Sequence, residues 1–132
     1  MIFVDANIFI AHQNKEDVHH KRALEIMKDI ENQSYGPAFI SDYVFNEVVG
    51  ITCRKKGKSD AVLAGEKMKR SMSIFNIDEH VLENAWNFFQ ETAFNFNLVD
   101  CTNINIVRTM EVEYIATFDK EFLKMENIKV IS

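Results

Sequence analysis

Four acidic residues stand where their carboxylates can do chemistry together. Asp5 follows the apolar run Ile2-Phe3-Val4, and Asp119 follows YIATF at 114–118. Asp100 comes directly after Leu98-Val99, and Glu47 lies in a helical stretch with apolar Val44, Val48 and Ile51 within about one turn. Carboxylates crowded without a cation repel and raise one another's pKa values. A hard cation such as magnesium or manganese relieves that repulsion, taking one or two carboxylates together with waters and substrate phosphate. Such an ion polarises a phosphoryl oxygen and acidifies a bound water, as hydrolysis of a phosphodiester requires. Each acid also has a plainer role. Asp is a favoured N-cap, so Asp5, Asp100 and Asp119 each fit a helix start. Glu47 can simply reach solvent from the edge of its stripe. Spacing alone does not single out these four among 20 acidic residues.

Other chemistries find less support. His19 and His20 are adjacent and cannot share a helix face, His12 and His80 are isolated, and no zinc-like spacing occurs. Cys101 lacks an identifiable base and reads as a small buried filler. An aspartyl nucleophile at Asp5 would want a second Asp two positions on, where the chain has Asn7. A receiver domain would need a further acidic cluster and a placed lysine that the sequence does not offer.

These residues must be positioned by a fold, and periodicity predicts one. Short apolar runs at 2–4, 38–40, 73–77, 114–118 and 128–131 read as strands. Between them, apolar spacing predicts helices at 7–11, about 18–30, from a Ser41-Asp42 cap towards Gly57, from a Ser59 cap to about Arg70, after Asp78, and near Asp100 to Met110. Leu24 is expected on the buried face of the second of these, and Leu82, Phe88 and Phe89 on that of the helix after Asp78. Alternating strands and helices call for a three-layer α/β/α domain with a central, mostly parallel sheet of about five strands. The 132 residues fit a single domain, 1–132, without repeat or linker.

Bulk properties narrow the partners. The net charge of −5 argues against nucleic-acid binding through overall charge, although it permits a local patch. Arg54, Lys55, Lys56, Lys58, Lys67, Lys69 and Arg70 form such a segment, suited to an RNA backbone, to a segment of a protein partner or to plain solvation. Trp86, Phe88, Phe89, Phe94 and Phe96 read as core or as contact with a symmetric partner rather than as a base-stacking platform. Two unpaired cysteines suit a reducing cytoplasm, and the N-terminal apolar run, broken by Asp5 and Asn7, predicts neither signal peptide nor membrane span.

The stretches VDANIFIA, SDYVFNEVVG and LVDCTNINIVRTMEVEYIATFDKEF resemble the PIN-domain ribonucleases, particularly the VapC-type toxins of VapBC toxin–antitoxin pairs. The resemblance spans nearly the whole chain. It implies a metal-dependent endoribonuclease using magnesium or manganese, acting on RNA, paired with an antitoxin and forming a homodimer. It places Asp5, Glu47, Asp100 and Asp119 in the catalytic cluster, with Asp5 and Asp100 as the principal metal ligands. Asn7, Thr102 and Asn103 would be polar groups that orient ligands and water, Asn103 standing where the family often has a small hydroxyl residue. A PIN nuclease of RNA processing outside toxin–antitoxin pairs, and a non-catalytic PIN-like module binding RNA or protein, are the alternatives.

Overall fold

The computed structural model describes residues 1–132 and contains five strands. In chain order the elements are β1 (Ile2–Val4), α1 (Ala6–Gln13), α2 (His20–Glu31), β2 (Ala38–Ser41), α3 (Asp42–Lys56), α4 (Lys58–Ser71), β3 (Ser73–Phe75), α5 (Glu79–Glu91), α6 (Leu98–Thr109), β4 (Tyr114–Ala116) and β5 (Lys129–Ile131). A short 3-10 turn, Lys120–Lys124, separates β4 from β5. All pairings are parallel and the strand order is β3-β2-β1-β4-β5. Helices cover both faces, giving the expected three-layer α/β/α architecture.

The central strand explains itself. Ile2, Phe3 and Val4 are all fully buried, the continuous apolar run that a strand covered on both faces requires. It is registered as Phe3 opposite Phe39 on one side and Ile115 on the other. Tyr114–Ala116 continues the core outwards, with Ile115 and Ala116 fully buried. The chain first builds away from β1 on one side, through β2 and β3, and then returns to its other side with β4 and β5. In parallel sheets that reversal opens a crevice at the carboxyl ends of the strands, here between β1 and β4.

Several boundaries differ from the sequence reading for identifiable reasons. The helix α4 is capped by Gly57 at φ +93°, not by Ser59, which falls inside the first turn. The left-handed backbone at Gly57 ends α3 and starts α4 in one residue, a conformation only glycine adopts without strain. β4 stops at Ala116 and β3 at Phe75, so Asp119 stands three residues beyond its strand rather than at its tip. Leu24, Leu82 and Phe89 are exposed instead of core. Each lies at the margin of its helix's apolar stripe, and the neighbouring elements cover only the middle, such as Ile26 on α2 and Ala85 on α5. No helix is long and apolar enough to cross a membrane.

Candidate active site

Asp5 sits at the end of β1 and caps α1, its Oδ1 accepting from the Ala6 N–H at 2.8 Å. It is 9% exposed, so its other oxygen needs partners, and two are supplied. Oδ2 accepts from the Thr117 hydroxyl at 2.7 Å and from Asn7 Nδ2 at 2.9 Å. Asn7 Nδ2 also donates to Thr117 Oγ1 at 3.0 Å, while its Oδ1 accepts from the Phe118 N–H at 3.0 Å. Thr117 Oγ1 in turn accepts from the Asp119 N–H, and the Asp119 carboxylate caps the 3-10 turn through the Glu121 N–H. One connected lattice therefore ties the end of β1 to the segment after β4.

The other two acids arrive from helices. Asp100 does not cap α6 itself; Asn97 does, and Asp100 is its reciprocal partner in a capping box. Asn97 Oδ1 accepts from the Asp100 N–H at 2.8 Å, and Asp100 Oδ2 accepts from the Asn97 N–H at 2.9 Å. Glu47 extends from the second turn of α3, whose start is fixed by Ser41 accepting from the Val44 N–H. Its side chain lies exposed at the rim and takes no hydrogen bond within the chain.

The four carboxylates line one open pocket of about 410 Å³, together with Asn7, Tyr43, Asn46, Asn97, Ala6 and Val99. No lysine, arginine or histidine faces it. Burial, followed by repulsion from Glu47 and Asp119, pushes the Asp5 carboxyl up despite the stabilising hydrogen bonds from Thr117 and the Ala6 N–H. Burial, with Asp5 and Asp119 adding, pushes Asp100 up to about 6. Glu47, though exposed at the rim, is raised by partial desolvation on the side facing the pocket and by Asp100. The acids thus repel one another across a cavity that holds no cationic side chain. No three of them converge tightly enough to enclose an ion with protein ligands alone. An ion held here would need waters or substrate oxygens to complete its shell, which magnesium and manganese accept.

Thr102 and Asn103 lie elsewhere. Thr102 Oγ1 donates back to the Leu98 carbonyl within α6. Asn103 is fully buried one turn below Asp100, where its Oδ1 accepts from Ser41 Oγ at 3.5 Å and its Nδ2 is left without a partner. Neither hydrogen-bonds an acid of the pocket; Asn103 links α6 to the start of α3 instead. Thr117 is the residue that sequence reasoning missed. Its signal was a hydroxyl two positions before Asp119 at the end of an apolar strand. Tyr43, Asn46 and Asn97 also line the pocket unforeseen. Cys101 is buried beside Asp100, and burial together with that carboxylate pushes its thiol up, consistent with an inert filler. A second cavity of about 340 Å³, among α1, α2, α3 and α4, is lined by Met27, Met68 and Met72 with Asp60 its only acid, and shows no such crowding.

The chain is similar to known proteins in a consistent way. The PIN-domain family model matches residues 2–128. VapC20 of Mycobacterium tuberculosis, a toxin that cleaves the sarcin–ricin loop, superposes with a TM-score of 0.84 at 21% identity, over 100% of both chains. A toxin–antitoxin complex from Klebsiella pneumoniae gives 0.68 at 20% identity, covering 100% of this chain and 97% of that one. VapBC2 of Rickettsia felis, bound to a DNA fragment from its promoter, gives 0.67 at 16%, covering 98% and 97%. No curated protein sequence matches. The chain reversal beside β1, the acids gathered at it and a family model matched almost end to end lead to one conclusion: this chain belongs to the PIN-domain family.

Proposed function

We propose that this protein is a magnesium- or manganese-dependent endoribonuclease, the toxin of a cytoplasmic toxin–antitoxin pair. The observation that carries the reading is the pocket lined by Asp5, Glu47, Asp100 and Asp119 without a single basic side chain, set at the carboxyl edge of a PIN fold. Asp5 and Asp100 would hold the ion, since both are already anchored by hydrogen bonds that spend only part of their acceptor capacity. When bound, the ion supplies neutralisation of charge on the phosphate oxygens and acidification of a water. Asn7 and Thr117 hold Asp5 in one orientation. Glu47, at the open rim, and Asp119, fixed by the 3-10 turn, are free to align water for in-line attack and to take up its proton. Support for the toxin role comes from relatives of the same fold that are toxins or toxin–antitoxin complexes. We read the half-exposed Trp86 and Phe89, 5.8 Å apart on α5, as the contact of a homodimer, because exposed aromatic surface of this kind marks an interface. The exposed basic helix ends between Arg54 and Arg70 are suited to RNA or to an acidic antitoxin segment.

The decisive test is cleavage of single-stranded RNA by purified protein with and without manganese. Asp5→Asn and Asp100→Asn are each expected to abolish cleavage while leaving the circular dichroism spectrum unchanged. Wild-type cleavage by either folded variant would sink the reading. A protein that binds RNA without cutting it under any metal would make this a non-catalytic PIN module. Cleavage without toxicity on expression would leave a nuclease outside toxin–antitoxin biology.

A further inference from the structure

We propose that the outer face of His19, backed by Phe118, is a stacking platform for an RNA base beside the scissile phosphate. The two rings lie parallel, with centroids 4.3 Å apart and planes 10° apart. Phe118 is half-buried against the core and immediately precedes Asp119, within about 3.8 Å along the chain. Its N–H is held by Asn7, the same residue that holds Asp5, so the platform and the acidic pocket share one rigid lattice. His19 covers Phe118 from the solvent side and is itself exposed.

The stack is poised rather than consumed. His19 stands at the N-cap position of α2, yet its side chain makes no capping hydrogen bond. Its backbone is fixed instead, by Asp17 Oδ1 accepting from the His19 N–H at 2.8 Å, and the next residue is fixed by a 2.8 Å contact between His20 Nδ1 and the Ala11 carbonyl. Arg22 reaches the carbonyl of Ser132, just beyond β5, which seats this end of α2 at the carboxyl edge of the sheet. An ordered, exposed aromatic face beside a phosphodiester site suits an unstacked base, since single-stranded RNA is read by stacking on Phe, Tyr, Trp or His. Lys21, exposed on the first turn of α2, adds a cation for the adjoining backbone.

The choice of ligand rests on the ribonuclease reading, and the experiment separates the two. Short single-stranded oligoribonucleotides, each with one 2-aminopurine or one abasic ribose moved stepwise along the strand, are titrated into the Asp100→Asn protein with and without His19→Ala or His19→Phe. The platform predicts fluorescence quenching at one position. It also predicts about tenfold weaker binding of the intact strand on His19→Ala, the factor set by one stacked base, with no change for the strand abasic there. His19→Phe should restore binding. Equal losses for intact and abasic strands, or a fall in melting temperature with no base-dependent change, would make the stack a mere staple between the start of α2 and the segment after β4 and overturn the proposal. Quenching that depends on His19 in a protein whose wild type never cuts RNA would remove the nuclease reading and keep the platform. Cleavage indifferent to His19 would do the reverse, and no binding at all would overturn both.

Discussion

The hydroxyl of Thr117 donates to Asp5 Oδ2 while accepting from Asn7 and from the backbone of Asp119, so one small side chain fixes two of the four acids. Groups that orient metal-binding carboxylates are worth roughly 10–100-fold in metal affinity or activity. Thr117→Val, which keeps the shape and removes the hydroxyl, is therefore expected to lower manganese affinity and cleavage by a factor in that range. Thr117→Ser should retain both. A manganese titration followed by cleavage rates checks this, and a Thr117→Val protein as active as wild type would show that Asn7 alone suffices. At this scale Asp5 was legible because a buried strand that ends in a charge must deliver that charge to an edge. The directions in which Thr102 and Asn103 point were not. Cys101 to Ile104 are four consecutive fully buried residues, so α6 is wrapped on all sides here and offers no polar stripe from which to read a direction.

At the scale of elements, α6 shows how a residue of a capping box can also line the pocket. Asp100 satisfies the Asn97 N–H and receives its own orientation from the reciprocal bond. Asn97→Ala removes the acceptor for the Asp100 N–H and should cost about 1 kcal/mol of stability. It should also weaken cleavage, because the first turn that carries Asp100 frays. Urea unfolding and initial rates measured on one preparation test both; a loss of stability with unaltered rates would mean that packing of Cys101 and Ile104 alone positions the acid. Periodicity revealed every α-helix and strand, since stripes such as Ala23, Ile26, Met27 and Ile30 leave little choice. It could not show how widely each stripe is covered, as Leu24 and Phe89 demonstrate. Nor could it show that Gly57 serves two helices at once, because a favourable serine two residues later gave an equally good local signal.

For the molecule as a whole, the crowded acids oppose folding unless something neutralises them. Asp5, Glu47 and Asp100 all have raised folded-state pKa values, so the folded chain holds more protons than the unfolded one between the two sets of values. The contribution of these three acids to the stability of the metal-free protein is then greatest at acid pH and falls as pH rises from 3.8 towards about 6, the ordinary and folded values for Asp100, against the opposite contribution of His12, whose value burial lowers. The protein's melting temperature should decline over that window and level off above it. Manganese should raise the melting temperature above pH about 6 by mass action, and this gain should shrink below it as protons compete for the same oxygens. In Asp100→Asn the metal-free protein should be more stable than wild type near neutrality, and the manganese response should be largely lost. A pH-independent melting temperature in wild type would show that the pocket is less strained by charge than its geometry implies.

The placement of β4 beside β1 also sets the order in which the molecule becomes itself. Asp5 and Thr117 are separated by 112 positions, and the central strand lacks its second neighbour until Tyr114 to Ala116 have been made. Early segments can assemble β1, β2 and the helices between them from nearer contacts, but closing the longest loop comes late because it carries the greatest chain-entropy cost. A growing polypeptide consequently carries Asp5 and Glu47 on a half-built sheet with no partner for either. The four acids can come together only once β4 has joined β1, so the nuclease proposed above would lack its full site through most of its own synthesis.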